Sequence, residues 1–460
     1  MCGGRYTGAS PDLVIEGVTR DSRTACPGAM YIPIIGERFD GHDFAAGSIA
    51  SGAVAMMWQK DHPVPAELEH VPHVLVKNTV AALQQLAASY RSELMTRVIG
   101  ITGSNGKTTT KDLTAALLGT VYRVHKTEGN LNNELGLPLT LLELEEETEV
   151  AVLEMGMSGF GEIELLTRIA QPDAAIITNI GDAHMLQLGS RAGIAKAKLE
   201  IASGLGEGGI LLYNGDEPLL DEGLRSMALN EGVELRTFGL SEQNAWSAEN
   251  IQIEAERSTF TPLYDGKPTQ MGSITIPIPG RHNVSNALAA IAVARLFGVP
   301  AARIAEGFGN VKLSGMRIQP VKAYNGAVIL NDAFNANPTA AAAAIDLIEQ
   351  LEGFRQKWIV LGDMLELGPD EKKMHFDTGA YVTPAKADAL LAFGPLSRHT
   401  AEGARAGFAD ARPEEAVQHF EDKDTLVRWL RDQLDPGDVV LVKGSRGMQM
   451  EEIVQALERG

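Results

Sequence analysis

Cysteine is nearly absent: among 460 residues there are two, Cys2 and Cys26. That pair supplies neither a disulfide framework nor metal-ligand spacing. Also missing is any apolar run near the ~18 residues a membrane span needs. The opening Met-Cys-Gly-Gly-Arg has no apolar signal core. Basic residues fall short of acidic ones, 40 against 60, for a net charge of −20. Such a balance argues against a nucleic-acid coat or a basic membrane-surface protein, while leaving room for a local basic pocket. No internal repeat is present, so solenoids drop out. The expectation is a soluble, cytoplasmic protein with no nucleic-acid partner and no membrane insertion.

What remains is ordinary globular material, 44% hydrophobic and 22% charged, long enough for two to four domains. Residues 1–95 hold short apolar runs cut by glycine and proline, such as Ala29–Ile35 and Ala53–Trp58, and close on a helix-like stretch, Thr79–Leu94. They read as a small α/β unit. Residues 96–314 alternate strand candidates (Val98–Thr102, Val150–Met155, Ala174–Ile180, Gly209–Tyr213) with helical stretches (Lys107–Leu118, Gly161–Ile169, Arg191–Ser203). That alternation predicts crossover units and a parallel sheet covered on both faces. Asn283–Phe297 reads as an alanine-rich buried helix. Alternation resumes over 315–460, after a boundary within Val311–Val321, and predicts a second open α/β sheet.

The sharpest local signal is Gly100-Ile-Thr-Gly-Ser-Asn-Gly-Lys-Thr-Thr-Thr110, with an apolar strand before it and a helix after it. Glycines let backbone amides approach phosphate oxygens, and the helix directs its positive end at the anion. Gly103, Ser104, Asn105, Gly106 and Thr109 would cradle the phosphates, Lys107 would neutralise their charge, and the Thr108 hydroxyl would ligate Mg²⁺. Ile101 stands where the usual motif has its first glycine, so Gly103 and Gly106 frame a shorter loop. The bland alternative is a tight strand–helix turn with a solvated lysine.

Ligands of an open parallel sheet gather beyond the carboxyl ends of its strands. Glu154 ends one strand candidate and could hold Mg²⁺; Thr178-Asn-Ile-Gly-Asp-Ala-His184 follows the next, with His184 a candidate ligand and Asp182 a weaker one. Alone, such a carboxylate can equally face water, and such a histidine is more often a packed, hydrogen-bonded one. Lys196 and Lys198 lie two apart on a helix, hence about 200° apart around it, so only one can face the site. The residues by themselves support a Mg²⁺-dependent NTP-using enzyme or switch.

The loop, together with Glu154-Met-Gly-Met-Ser-Gly-Phe-Gly-Glu-Ile163, Thr178–His184, Gly280-Arg-His-Asn-Val-Ser-Asn286, Ser314-Gly-Met-Arg-Ile-Gln319, Asn331-Asp-Ala-Phe-Asn-Ala-Asn-Pro338 and Val442-Lys-Gly-Ser-Arg-Gly-Met448, resembles the Mur ligase family. Asn-Ala-Asn-Pro-Thr and Gly129–Pro138 look most like the members that join D-alanyl-D-alanine to UDP-N-acetylmuramoyl-tripeptide. The resemblance implies three domains: an N-terminal UDP-sugar unit, a central ATPase, and a Rossmann-like C-terminal unit. It implies ATP as co-substrate, an acyl-phosphate intermediate, two Mg²⁺ ions among Thr108, Glu154, His184 and Lys198, and a monomer. Lys198 matches the family lysine that becomes carbamylated. By the same analogy Asn283 meets the adenine, and Arg317 and Asp332 reach the phosphates and ribose. Asn335 and Asn337 contact nucleotide or dipeptide, Ser22, Arg23 and His42 lie near the uridine, and Asn130, Asn133 and Ser158 lie near the muramoyl-peptide. The chain departs from the family at Asn331, where an acid is common, and at Asp182, where Glu is common; the family also commonly has a longer stretch ahead of Asp21-Ser22-Arg23. Sibling ligases usually show Asp-Asn-Pro-Arg, or Asp-Gly-Ala-His-Asn where this chain has Asn331–Asn335. A non-ligating ATPase switch is the alternative from another class.

Overall fold

Three sheets of five, ten and six strands follow one another among the described residues of this computed structural model, which are 2–7, 13–24, 26–409 and 413–459. In the first sheet the spatial order is Arg5–Thr7, His73–Val76, Ala55–Gln59, Ala29–Tyr31, Gly17–Thr19. Only Arg5–Thr7 runs antiparallel. The helix Thr79–Glu93 starts where the Asn78 side chain accepts the Ala81 amide at 2.8 Å, an ordinary N-cap. It packs Leu83 and Ala82 against Met57 and Ile32.

The central sheet places Arg97–Thr102 between Val150–Glu154 and Ala174–Ile177, all parallel. Its strands are apolar on both faces because both are covered. On one side lie the helices Lys107–Leu118 and Arg281–Leu296, the second buried continuously from Asn283 to Ala294. On the other lie Gly136–Leu142, Glu162–Ala170 and Arg191–Leu199. The sheet then continues as an arm that sequence alternation did not predict. Trp246–Ile253 runs antiparallel to Ser258–Tyr264, which pairs with Lys267–Pro268 and Ile274–Ile276. The expected parallel sheet runs from Val124–Lys126 to Trp246–Ile253, and the antiparallel arm extends it. The missed signal is Asp265-Gly266, both at positive φ (48° and 71°), the dipeptide that a tight hairpin favours.

The third sheet runs Gln319–Lys322, Val328–Asp332, Val439–Lys443, Lys357–Gly362, Ala389–Phe393, Val417–Phe420; all neighbours are parallel except the first pair. The last strand of the chain to enter it lies beside Val328–Asp332, so Asp332 and Lys443 become register partners at the carboxyl ends. Asn337 caps the helix Pro338–Gln350 by accepting the Ala340 amide at 2.9 Å.

Candidate functional site

The carboxyl ends of the central strands and those of the third sheet face one cavity of about 970 Å³. The phosphate loop forms its floor. Gly103 sits at φ 147°, where a Cβ would lie 1.8 Å from the Thr178 hydroxyl oxygen, and Gly106 at φ 80° would press a Cβ onto Asn286. Only glycine fits either place. The loop is fastened to the neighbouring strand end: the Ser104 amide donates to the Asn179 carbonyl (3.0 Å) and the Asn105 amide to the Asn179 side chain (2.9 Å). Lys107 Nζ donates back to the Gly103 carbonyl at 2.8 Å. The Ser104 hydroxyl is buried without a partner.

Above the loop, Thr108 Oγ1 donates to Glu154 Oε2 at 2.8 Å, and Asn132 Nδ2 donates to Glu154 Oε1 at 2.9 Å. Glu154 is buried, and its amide donates to Thr127 Oγ1. His184 lines the same cavity in the left-handed region (φ 64°), with its Nδ1 buried and unpartnered. Burial first, then the charges of Lys198 and Lys107, push its imidazole down to about 4. Lys198 is 2% exposed. No hydrogen bond or ion pair holds its ammonium among the described residues, and burial, aided by Lys107, drives its pKa far below the ordinary lysine value. Lys107 is likewise lowered by burial, against the pull of Glu154. Lys196, on the other side of that helix, is exposed, 5.9 Å from the Phe160 ring centroid. Of the two lysines, Lys198 is the one turned inward.

Hydroxyl, carboxylate and a free imidazole nitrogen around a phosphate loop form a donor set suited to a hard divalent cation. A buried lysine without a counter-charge, its pKa driven down so that the free amine is favoured, fits carbamylation, which needs that amine and would turn it into an anion.

The C-terminal sheet supplies the roof. Arg317 enters between two non-glycine residues at positive φ, Met316 (60°) and Ile318 (51°), with its guanidinium carbon 3.9 Å from the Phe334 ring centroid and its Nε unpartnered. Burial lowers its pKa. Asp332 accepts Lys443 Nζ at 2.6 Å and the Ile318 amide at 3.3 Å; Lys443 also donates to the Asn335 carbonyl. Roof and floor touch directly. Asn105 and Asn337 exchange side-chain amide bonds (2.8 and 3.4 Å), and Thr339 donates to Asp182. Asn283 lines the cavity, though its amide already donates to the Pro279 carbonyl and accepts from Asn286.

Of the substrate candidates, Asn133, Ser158 and Asn335 line the cavity, whereas Asn130, Asn337, Ser22, Arg23 and His42 do not. Arg23 is exposed and bidentate to Asp21. His42 is buried with both ring nitrogens engaged: Nδ1 with Asp40 at 2.6 Å, and Nε2 accepting the Gln59 amide at 3.4 Å. His62 stacks on it at 4.2 Å, with its own nitrogens on Asp40 and Asp61. Asp40, His42 and His62 are close enough to chelate a metal, but every ring nitrogen is already taken by a protein group. Sequence reasoning did not single out Asn132, His282 or Lys443. All three line the cavity, and Lys443 was legible as a lysine at a strand's carboxyl end within a quoted motif.

Three family descriptions match consecutive stretches: "Mur ligase family, catalytic domain" residues 14–91, "Mur ligase middle domain" residues 101–294, and "Mur ligase, glutamate ligase domain" residues 316–446. The UDP-N-acetylmuramoyl-tripeptide–D-alanyl-D-alanine ligase of Bacillus subtilis is 48% identical over 444 residues, covering 96% of this chain and 93% of its own length. Its namesake in Escherichia coli is 35% identical, over 97% and 94%. A crystal structure of MurF from Acinetobacter baumannii superposes with a TM-score of 0.86 at 30% identity, covering 99% of this chain and 96% of that one. The MurF ligase of Thermotoga maritima in complex with ADP gives 0.84 at 27%, covering 98% and 99%.

Proposed function

The chain belongs to the Mur ligase family, and from that premise we propose that it joins D-alanyl-D-alanine to UDP-N-acetylmuramoyl-tripeptide as ATP is cleaved to ADP and phosphate. The observation that carries this reading is the Thr108–Glu154 pair at the phosphate loop sharing one cavity with Arg317, Asp332 and Lys443 of the third sheet. A nucleotide held by the floor is thereby presented to groups of the roof.

The chemistry needs that arrangement. A carboxylate is a poor electrophile, so one of its oxygens attacks the γ-phosphorus, the bond to the β-phosphate oxygen breaks, and ADP departs with an acyl phosphate left behind. The dipeptide amine then attacks the acyl carbon, loses its proton, and the carbon–oxygen bond to phosphate breaks. Like charges must be brought together in the first step, so neutralisation and positioning dominate the catalysis. Lys107 and the amides from Gly103 to Thr109 bind the β- and γ-phosphates. Arg317 meets the phosphates from the opposite side, with Asp332 near the ribose and Asn283 near the adenine. Thr108, Glu154, His184 and a carbamylated Lys198 would hold two Mg²⁺ ions, which supply charge screening and Lewis acidity at the phosphoryl oxygens. Asn133 and Ser158 face the muramoyl-peptide, and Asn335 with Asn337 the nucleotide or dipeptide. Ser22 and Arg23 belong to the N-terminal unit that would receive the uridine.

On this reading the functional units are 1–95, 96–314 and 315–460. Soluble nucleotide substrates place the reaction in the cytoplasm, and no helix among the described residues is long and apolar enough to cross a membrane. This reading takes the protein to act as a monomer. The product feeds peptidoglycan synthesis, and through it cell shape and division. The test is a product assay with the UDP-sugar tripeptide and ATP, offering D-alanyl-D-alanine, diaminopimelate and glutamate together. A single product carrying the dipeptide is expected, with phosphate release requiring both substrates. Steady ATP hydrolysis with neither present would instead favour the switch.

A further inference from the structure

Arg317 has no hydrogen-bonded partner at its Nε, yet its segment is far from loose. The stretch from Ser314 to Gln319 joins the central sheet to the third, and side chains from both bodies hold its backbone amides. The Gln319 side chain accepts the Met316 amide at 3.1 Å, and Asp332 Oδ1 accepts the Ile318 amide at 3.3 Å. From the central body comes a carboxylate: Asp112 Oδ2 accepts the Ser314 amide at 2.8 Å, across 202 residues of sequence.

Asp112 sits on the helix Lys107–Leu118, whose first residue is the phosphate-loop lysine. It is buried, at 2% exposure. Its other oxygen takes Lys126 Nζ at 2.7 Å, with Lys111 Nζ 3.6 Å away. Lys111 in turn donates to the Thr127 carbonyl, and Thr127 Oγ1 accepts the amide of Glu154. Helix, carboxylate and the strand end bearing Glu154 thus form one connected block. The left-handed conformations at Met316 and Ile318 persist only where their surroundings fix them.

We propose that Asp112 is a positioning residue: by holding the Ser314 amide it registers the Arg317 segment against the phosphate loop, so that the guanidinium lies where the γ-phosphate is transferred. This rests on the reading above in which Arg317 meets the nucleotide's phosphates. Asp112 touches no reactant; it acts through Arg317. The carboxylate suits the task because lysines hold it from one side while the linker amide is held from the other, so a rotation of the linker would break a charge-assisted bond.

A double-mutant cycle tests it. The single variants Asp112→Ala, Ser314→Pro and Arg317→Ala, and each tether variant combined with Arg317→Ala, are assayed for ligation at saturating substrates and followed by thermal melting. Ser314→Pro removes the amide donor and leaves Asp112 with its lysines, so the test stands even where Asp112→Ala does not fold. Arg317→Ala is expected to lower kcat about 10²-fold, and each tether variant about 10-fold or more with the KM for the UDP-sugar little changed. In the Arg317→Ala background the tether variants should cost less than about twofold further. Losses that multiply would overturn the tether while leaving Arg317 in its place. Wild-type kcat in Arg317→Ala would overturn the reading of Arg317, and the tether with it.

Discussion

The histidines and acids of the N-terminal unit and those around the phosphate loop are treated oppositely. In the N-terminal unit Asp40, His42 and His62 satisfy one another, with every ring nitrogen bonded. Burial alone would raise Asp40, but the His42 amide and ring and the His62 ring hold it below its ordinary value; His62 is raised by Asp61 and then Asp40. Around the phosphate loop, His184 keeps an unpartnered buried nitrogen, and Lys198 is enclosed with no ion pair among the described residues. Unpaired buried polar groups cost stability, so a fold retains them where something else completes them. The first group therefore reads as structural, while the second keeps free the groups that the proposed function would use.

The hardest blow to that contrast would come from the lysines. Lys198→Ala and Lys107→Ala should each lose about 10³-fold in ligation while melting within a few degrees of wild type, because neither side chain is held in an ion pair among the described residues and Lys107 gives up one hydrogen bond, to the Gly103 carbonyl. Short carboxylic acids should partly restore Lys198→Ala if the working group is a carbamate. Near-normal kcat in either variant would remove that lysine from its role.

His42→Ala should show the reverse. It strips Asp40 of one ring partner, leaving His62 and the backbone amide, and Trp58 of an edge contact at 4.6 Å, a loss of about 2–4 kcal/mol in stability. At saturating UDP-sugar its kcat should stay within a few-fold. Unchanged melting with a raised KM for the UDP-sugar would return His42 to the uridine.

A subtler separation uses pH on the metal-free protein. For His184, at about 4 when folded and about 6.5 unfolded, the unfolded chain binds more protons between those values. Its contribution to stability is therefore present above about pH 6.5 and is lost as pH falls toward 4. His62 has the opposite sign: raised when folded, it stabilises fully below its unfolded value and loses that contribution as pH rises through the folded one. His184→Gln should flatten the acid limb of a Tm–pH curve, and His62→Gln the slope that begins above about pH 6.5. Parallel changes in both variants would erase the distinction.

Legibility follows the same division. Local chemistry was readable: the phosphate loop, the strand ending at Glu154 and the helix Lys107–Leu118 stand where residue type and period put them. Unread was whatever depends on pairing across distance. Nothing local marks Asp112 as a partner of Ser314, or Asp332 as the neighbour of Lys443, since each contact spans more than a hundred residues. Nothing in Gly-His marks His42 as saturated either; that needed Gln59 and His62. The antiparallel arm was missed for another reason. Past Ser247 none of the residues to Ile253 is buried, so the apolar period is weak and only the Asp265-Gly266 turn announced it.

Lys196 gives the smallest and most exacting comparison. It shares a helix with Lys198 and differs from it only by about 200° of rotation. That rotation leaves Lys196 exposed, near the Phe160 ring, while Lys198 is enclosed. A cation over an exposed ring contributes only about 0.5–1 kcal/mol, so Lys196→Ala should alter both Tm and kcat by less than a few degrees or about threefold. Since the two variants remove the same atoms from the same helix, any difference between them reports orientation alone. A loss in Lys196→Ala rivalling that of Lys198→Ala would mean the helix turns its other face to the reactants, and the floor of the cavity would have to be redrawn.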